Sequence, residues 1–400
     1  MTVDEEGSRT RMLAVASVSL LLSVLVWFNY SAVLPLVVED WGLSGTRAGV
    51  IFGAFQAGYL LSVVPAGALT DRRSARVVMA GGAFVAGAAS LGFALVADGF
   101  VTGTVLRALA GAGMAGVYVP GMRFVAGWFP ESARGRAMGV YVGTYSTSAG
   151  LSFLLASPAA TAVGWRTAVA ATSVGALLVP LVILGVGRDP PSAGASASAD
   201  TGFDLSILRN RAYLAIVGVY AFHNWELFGM RNWVVAFLVA ETAVDGGVAG
   251  TVAGLVIVLG GAGNLLGGTL SDRYGRRQVV GAALATSGLV SAALGSLGWL
   301  PLPALLLVVA IYGIALTADS APTSTAVTEL VADKQMGTAL SIQSVVGFST
   351  TVVSPVIFGL ALDRAGYAVA FPTLALGALV ALGALAALGR IAPRATGLRA

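Results

Sequence analysis

His223 and Glu226 stand three residues apart in an otherwise apolar stretch, Tyr220-Ala221-Phe222-His223-Asn224-Trp225-Glu226-Leu227-Phe228-Gly229-Met230-Arg231-Asn232-Trp233. On a helix this spacing puts the imidazole and the carboxylate on one face. A buried carboxylate beside an imidazole exchanges protons in response to neighbouring charge, which is what a proton-coupling site requires. A fixed Glu226–arginine ion pair and direct solute contact are the other chemistries open to it. Arg231 follows five residues later, about 140° round a regular helix. Asp319 is a second acid in an apolar run, flanked by Thr317, Ser320 and Pro322, and is expected either to pair with Arg231 or to join the coupling. Arg107 is a second apolar-embedded cation. It serves either as a donor to carbonyls of a neighbouring helix or as support for an anionic solute or a proton-carrying acid.

These groups need elements that hold them, and the composition says which. Of 400 residues, 57% are hydrophobic and 10% charged, against about a quarter charged in soluble domains. A water-soluble globule, a disordered chain and a coiled coil are excluded. There is no cysteine and a single histidine, which removes thiolate chemistry, disulfides and clustered histidine metal sites, so no cofactor or metal is expected. Basic residues are scattered over short loops rather than gathered in a patch, which argues against a nucleic-acid partner. The expected partners are a small solute, protons and the lipid bilayer, and the chain is expected to act as a monomer.

About 20 apolar residues cross a ~30 Å hydrocarbon core as a helix. Twelve such stretches are present, at 12–38, 46–69, 77–97, 100–127, 137–160, 167–187, 211–240, 248–270, 278–298, 302–329, 337–361 and 370–390. None alternates apolar with polar as a membrane barrel strand does. The first holds Asp4, Glu5 and Glu6 ahead of it, continues through Asn29, Tyr30 and Pro35, and reads as an uncleaved span rather than a signal peptide. Ionisable groups within spans cost about 2.5–3.5 kcal/mol on insertion scales, so the few present are expected to face a cavity or a partner.

Basic residues crowd alternate loops: Arg9 and Arg11; Arg72, Arg73 and Arg76; Arg134 and Arg136; Arg188, Arg209 and Arg211; Arg273, Arg276 and Arg277; Lys334; Arg390, Arg394 and Arg399. The intervening loops hold Arg47, Arg166 and Arg364. This bias predicts that both termini are cytoplasmic, in a multi-pass protein of the cytoplasmic membrane. A Pro-, Ser-, Gly- and Ala-rich connection at 188–210 reads as a flexible linker. It divides the chain into a six-helix bundle at 1–187 and a second at 211–400. The halves repeat: Gly67-Ala68-Leu69-Thr70-Asp71-Arg72-Arg73-Ser74-Ala75-Arg76 recurs as Gly268-Thr269-Leu270-Ser271-Asp272-Arg273-Tyr274-Gly275-Arg276-Arg277, at an offset of 201 residues (Gly67 to Gly268). Gly67 and Gly268 are expected to let neighbouring helices approach closely, and Asp71 and Asp272 to pair with arginine or to sit at a helix N-terminus.

The duplicated Gly-x-Leu-x-Asp-Arg-x-Gly-Arg-Arg pattern resembles the loop motif of the major facilitator superfamily. The second copy matches throughout, and the first departs at Ser74 and Ala75. Arg107-Ala108-Leu109-Ala110-Gly111-Ala112-Gly113 is similar to that family's Arg-x-x-x-Gly-x-Gly motif in span 4. The resemblance covers the whole chain. It implies an all-α membrane protein with twelve transmembrane helices in two pseudo-symmetric six-helix bundles, rocking about a central site that faces each side in turn. It also implies a cytoplasmic gate formed by Gly67, Asp71, Arg72, Arg76, Glu131 and Arg134 in the first half and by Gly268, Asp272, Arg273 and Arg277 in the second. Arg123 and Glu329, near cytoplasmic span ends, are expected to act at the gate or to snorkel.

The function expected is secondary active transport of a small solute. No Gly-x4-Gly-Lys-Ser/Thr loop for ATP is present. Span 5 lacks the Gly-Pro pair of the superfamily's drug exporters, whereas Gly58-Tyr59 and Pro65-Ala66-Gly67 in span 2 look like branches that carry small anions such as oxalate, formate, cyanate or nitrate. Val63 stands where nitrate carriers place an arginine. Proton-coupled symport or exchange of a small organic or inorganic anion is therefore expected, with His223, Glu226 and Asp319 handling the proton. Arg107, Arg231, Asn29, Tyr30, Gln56, Tyr118 and Asn264 are the expected solute contacts. A proton-driven multidrug or metabolite exporter is the alternative, and a transporter-fold receptor the alternative of another class. A membrane-embedded enzyme lacks a nucleophile constellation, so no enzymatic activity is expected.

Overall fold

The computed structural model describes residues 3–190, 205–332 and 335–391. Most of the expected linker (191–204), Lys334, Arg394 and Arg399 lie outside the described residues. Regular structure among the described residues is helical, as a chain in hydrocarbon requires: with no water to bond, backbone groups must be satisfied within each segment. In chain order the α-helices are α1 (Val3–Ala32), α2 (Leu34–Trp41), α3 (Gly45–Arg72), α4 (Ala75–Leu95), α5 (Phe100–Trp128), α6 (Glu131–Val163), α7 (Trp165–Gly185), α8 (Arg211–Glu241), α9 (Gly246–Tyr274), α10 (Arg276–Leu294), α11 (Leu302–Ala318), α12 (Ser320–Leu330), α13 (Met336–Ala365) and α14 (Tyr367–Ile391), with a 3-10 turn at Leu205–Arg209.

Two of the twelve expected spans are broken. The first divides at Val33, two residues before Pro35, which has no N–H to give the preceding turn. The tenth divides at Asp319, three residues before Pro322. Among the described residues ten helical segments are long and apolar enough to cross a membrane by length and composition, one of them running through the break from Leu302 to Val327. α6 and α8 fall outside that set. Each exceeds 30 residues, but α6 carries the Thr144–Ser148 polar run and α8 carries His223, Asn224, Glu226, Arg231 and Asn232.

The chain forms two compact units. The first comprises Met1–Gly42, Ala54–Ala199 and Asp245–Gly254. The second comprises Leu43–Gly53, Asp200–Val244 and Leu255–Ala400. The first turns of α3 therefore cluster with the second half of the chain, and the first turns of α9 with the first half. In the first unit α1 packs on α6 and α7, and α4 on α5 and α7. In the second, α8 packs on α13 and α14, and α10 on α14 and α11. The two arrangements correspond helix for helix, as the duplicated sequence requires.

Small residues set the closest approaches, though not at the positions expected. A Cβ on Gly67 would meet nothing within 4 Å, and one on Gly268 only the Ala321 Cβ at 3.9 Å. The helices close instead one residue earlier, at Gly267, where a Cβ would lie 1.7 Å from the Ala318 carbonyl oxygen. In α3 they close at Gly58, 1.9 Å from the Ala108 oxygen. Adjacent helical residues point about 100° apart, so the motif glycine faces away from the contact that its neighbour makes.

Candidate functional site

α8 is buried along most of its length, and its carboxylate and imidazole have partners from other elements. Glu226 is 1% exposed. Its carboxylate accepts from Ser291 Oγ at 2.6 Å and from Ser287 Oγ at 2.9 Å. These serines stand four apart on α10, hence on one face. Ser291 also bonds the Tyr312 hydroxyl of α11. His223 lies one turn earlier, with Nδ1 2.9 Å from Asp319 Oδ1 and Nε2 3.2 Å from Ser320 Oγ. The two ring nitrogens thus face a carboxylate and a hydroxyl, and the ring proton is assigned to Nδ1 from these partners. The break at Asp319 makes this geometry possible: its carboxylate leaves the first turn of α12 uncapped and turns to α8.

The spacing of His223 and Glu226 led to the expectation of one imidazole–carboxylate pair. The structure gives two linked centres instead, a His223–Asp319–Ser320 group and a Glu226–Ser287–Ser291–Tyr312 group. No ion pair of Glu226 is present among the described residues, so hydroxyls rather than an arginine hold it. Asp319 pairs with His223 and not with Arg231. Arg231, 5% exposed, carries its guanidinium 5.9 Å from the Phe228 ring centroid.

In the first unit Arg107, 1% exposed, is bound to α1. Nη1 donates to Val26 O at 2.9 Å and Asn29 Oδ1 at 3.2 Å, and Nη2 to Trp27 O at 2.9 Å. The guanidinium lies 4.5 Å from the Phe55 ring centroid and 5.6 Å from that of Tyr30. Asn29 passes the connection on, donating to Ser90 Oγ of α4 and Thr172 Oγ1 of α7, both at 3.1 Å. Arg107, Asn29 and Tyr30 thus belong to a network that joins α1, α3, α4, α5 and α7, and its geometry is that of helix-to-helix bonding.

Trp27 centres an aromatic group: Tyr59 lies 5.0 Å, Phe55 5.2 Å and Tyr145 5.4 Å away by centroids, with Tyr118 5.5 Å from Tyr145. Gln56 sits on α3 between Phe55 and Tyr59. It is fully buried, and neither amide atom has a hydrogen-bond partner among the described residues. In the second unit Asn264 Oδ1 on α9 is likewise buried without a hydrogen-bond partner among the described residues. Such groups are costly unless something polar bonds them.

The motif loops form ion pairs, some with unexpected partners. Asp71 pairs with Arg123 of α5, which also donates to Thr70 Oγ1 at 2.8 Å. Arg76 donates to Gly187 O at 2.7 Å and pairs with Asp189 at 3.0 Å, and Ser74 bonds the same carboxylate. The second copy repeats part of this. Thr70 donates to Gly67 O at 2.6 Å and Ser271 to Gly268 O at 2.7 Å. Arg277 lies against Gly389 at the end of α14, as Arg76 lies against Gly187 beyond α7. The carboxylate–arginine pair there is Glu329 with Arg276. Arg72, Arg134, Asp272 and Arg273 are exposed. Glu131 begins α6, and its side chain lies outside the described residues.

Sequence reasoning missed Ser287, Ser291, Tyr312 and Asp189. The i, i+4 serines in an apolar span were a legible signal, whereas Tyr312 and Asp189 offered none, since each acts through a partner distant in the chain.

The family model of the Major Facilitator Superfamily matches residues 16–243 and 215–399. A hexuronate transporter of Bacillus subtilis is 26% identical over 251 residues, covering 60% of this chain and 58% of that protein. A probable sulfoacetate transporter of Cupriavidus necator is 24% identical over 409 residues, covering 93% and 91%. An MFS-type efflux pump of Mycolicibacterium smegmatis is 28% identical over 282 residues, covering 69% and 66%. Among solved structures, an inward-facing, occupied bacterial homologue of the human lysosomal transporter Spinster superposes with a TM-score of 0.79 at 17% identity over 97% of both chains, a likeness of fold.

Proposed function

This chain belongs to the major facilitator superfamily, whose members are membrane transporters and not enzymes, and on that premise we propose that it couples the movement of protons to uptake of a small organic anion by alternating access. It works as a monomer in the cytoplasmic membrane with both termini cytoplasmic, an orientation supported by the sorting of arginine among the loops. The observation that carries the coupling is the buried pair of acidic centres on α8: His223 with Asp319 at 2.9 Å, and Glu226 with two serine hydroxyls. Acids at such depth are costly in lipid and are kept for work on ions or solutes. Proton transfer needs donors and acceptors within hydrogen-bond reach, and both centres have them.

Anion transport is supported by the relatives named for a hexuronate and for sulfoacetate. The cation for such a solute is Arg231, on the same helix as His223 and Glu226. Gln56, with its unbonded amide beside Tyr59, supplies hydrogen bonds suited to a hydroxylated or oxyanion group. Arg107 and Asn29, bound to neighbouring helices, act as scaffold.

The test is accumulation in proteoliposomes under a pH gradient, acid outside, with a panel of hexuronates, aldarates, small sulfonates and lipophilic cations. The anions should accumulate. Glu226→Gln should abolish gradient-driven accumulation while leaving solute exchange. Accumulation like that of the unmodified protein would remove Glu226 from coupling, and response to lipophilic cations alone would overturn the anion. The efflux-pump relative supports a second reading, proton-driven export. Export would show as solute loss driven by the same gradient.

A further inference from the structure

The loop motif is not the only duplicated feature. Glycines also recur at the opposite ends of α3 and α9: Gly45, Gly49 and Gly53 correspond to Gly246, Gly250 and Gly254 at the same offset of 201 (Gly45 to Gly246). In both copies they press against the later turns of another helix. A Cβ on Gly49 would lie 2.3 Å from Pro355 O and one on Gly53 2.5 Å from Val352 O, both on α13. A Cβ on Gly250 would lie 1.9 Å from Ser157 Oγ and one on Gly254 2.8 Å from Gly150 O, both on α6.

The two copies differ in how the helix start is capped. α9 carries its own anion: Asp245 Oδ1 accepts from Val248 N at 2.9 Å. The corresponding residue before α3 is Ser44, a neutral cap whose oxygen is 3.3 Å from Arg47 N. The charge that the start of α3 favours comes instead from α13. Asp363 accepts from Gly45 N at 2.6 Å, from Thr46 N at 2.8 Å and from Thr46 Oγ1 at 2.6 Å. Its counterpart on α6, counted back from the glycine that ends each helix (Gly164 and Gly366), is Thr161, a neutral side chain that lies against Gly246 and Gly247 but donates its hydroxyl to Ser157 O. Gly359, one turn before Asp363, leaves room for the contact, since a Cβ there would lie 2.1 Å from Gly45 O.

We propose that Asp363 is a releasable latch, which fastens the start of α3 to the end of α13 on the face remote from the duplicated loops and sets how readily that contact parts during the transport cycle. α3 is the helix to be fastened because its first turns, Leu43–Gly53, cluster with the second unit while the rest of it belongs to the first. α9 spans the units in the same way but keeps its capping charge in cis. Only the α3 contact therefore loses its charge complement on opening. The latch rests on alternating access and not on the identity of the solute.

The absence of cysteine allows a direct test. Val356→Cys places a thiol on α13 facing Gly53, whose Cβ would be 3.7 Å from the valine. Its rate of maleimide alkylation in nanodiscs, where both faces meet the reagent, reports opening without any solute. Asp363→Asn should raise that rate about fivefold or more, and Thr46→Val should raise it by a smaller factor while sparing the backbone cap. Adding Ser44→Asp to Asp363→Asn separates the latch from simple helix capping. A latch leaves the rate raised, because the charge returns without the link to α13. Reversal of the rise by Ser44→Asp, or no rise in either Asp363→Asn or Thr46→Val, would overturn the proposal. Should Asp363→Asn fail to fold, the Thr46→Val rate decides. Unchanged uptake selectivity alongside a raised rate leaves the anion reading intact, so the two can fail separately.

Discussion

Arg107 distinguishes scaffold from substrate site by the order in which two substitutions damage the protein. Its guanidinium makes three hydrogen bonds, two to α1 carbonyls and one to Asn29. Arg107→Lys keeps the charge but offers one shorter ammonium in place of the planar fork, so at least two of the three bonds are lost. Hydrogen bonds involving a charged group contribute about 1.5–3 kcal/mol each, which puts the loss near 3–6 kcal/mol with the charge still buried. Arg107→Met removes the charge and its desolvation cost. The Val26 and Trp27 carbonyls keep their partners within α1, and only Asn29 Oδ1 is stranded, at about 1–3 kcal/mol. The lysine variant should therefore be the less stable. A 3 kcal/mol loss lowers the melting midpoint by roughly 6–12 °C for a unit of 150–250 residues, readable by tryptophan fluorescence in detergent. Lysine at least as stable as methionine, with solute-induced stabilisation kept by lysine and lost by methionine, would refute the scaffold reading and place Arg107 on the anion.

Further predictions follow from the same geometry. Ser287→Ala combined with Ser291→Ala strips both donors from Glu226 and should reduce pH-driven accumulation about tenfold or more while exchange continues. Gln56→Leu replaces a buried, unbonded amide and should raise thermal stability by about 1–3 kcal/mol while weakening solute affinity in a thermal-shift titration; a loss of stability would mean that the amide is bonded. Gly267→Ala should destabilise strongly and Gly67→Ala hardly at all, as measured by the monodisperse fraction after heating, because only the first side chain would meet a carbonyl. Asp71→Arg and Arg123→Asp should each shift the transport rate, and the double reversal should restore it to within a few-fold, since a pair this exposed contributes only about 0.2–1 kcal/mol.

Twelve apolar stretches, their separation by short basic loops and the copying of one motif at a fixed offset were all present in the chain as written. They determined helices, membrane and a duplicated architecture, because hydrocarbon admits few other solutions for such segments and a repeated sequence packs the same way twice. The chain also marked His223, Glu226, Asp319 and Arg107 as costly residues that must have partners. It did not say which partners. Periodicity reports what shares a face on one helix, so it joined His223 to Glu226. The tertiary structure joined His223 to Asp319 across a helix break, and Glu226 to serines on α10, because each group takes the nearest donor or acceptor in a dry interior whatever its distance along the chain. For Arg107 the chain left open both the carbonyls of a neighbouring helix and an anionic solute, and only folding brought the α1 carbonyls against it. The asymmetry at Asp363 went unmarked in the sequence: an exposed aspartate near a span end is unremarkable until the start of α3, hundreds of residues away in the chain, is seen to lack an anion of its own.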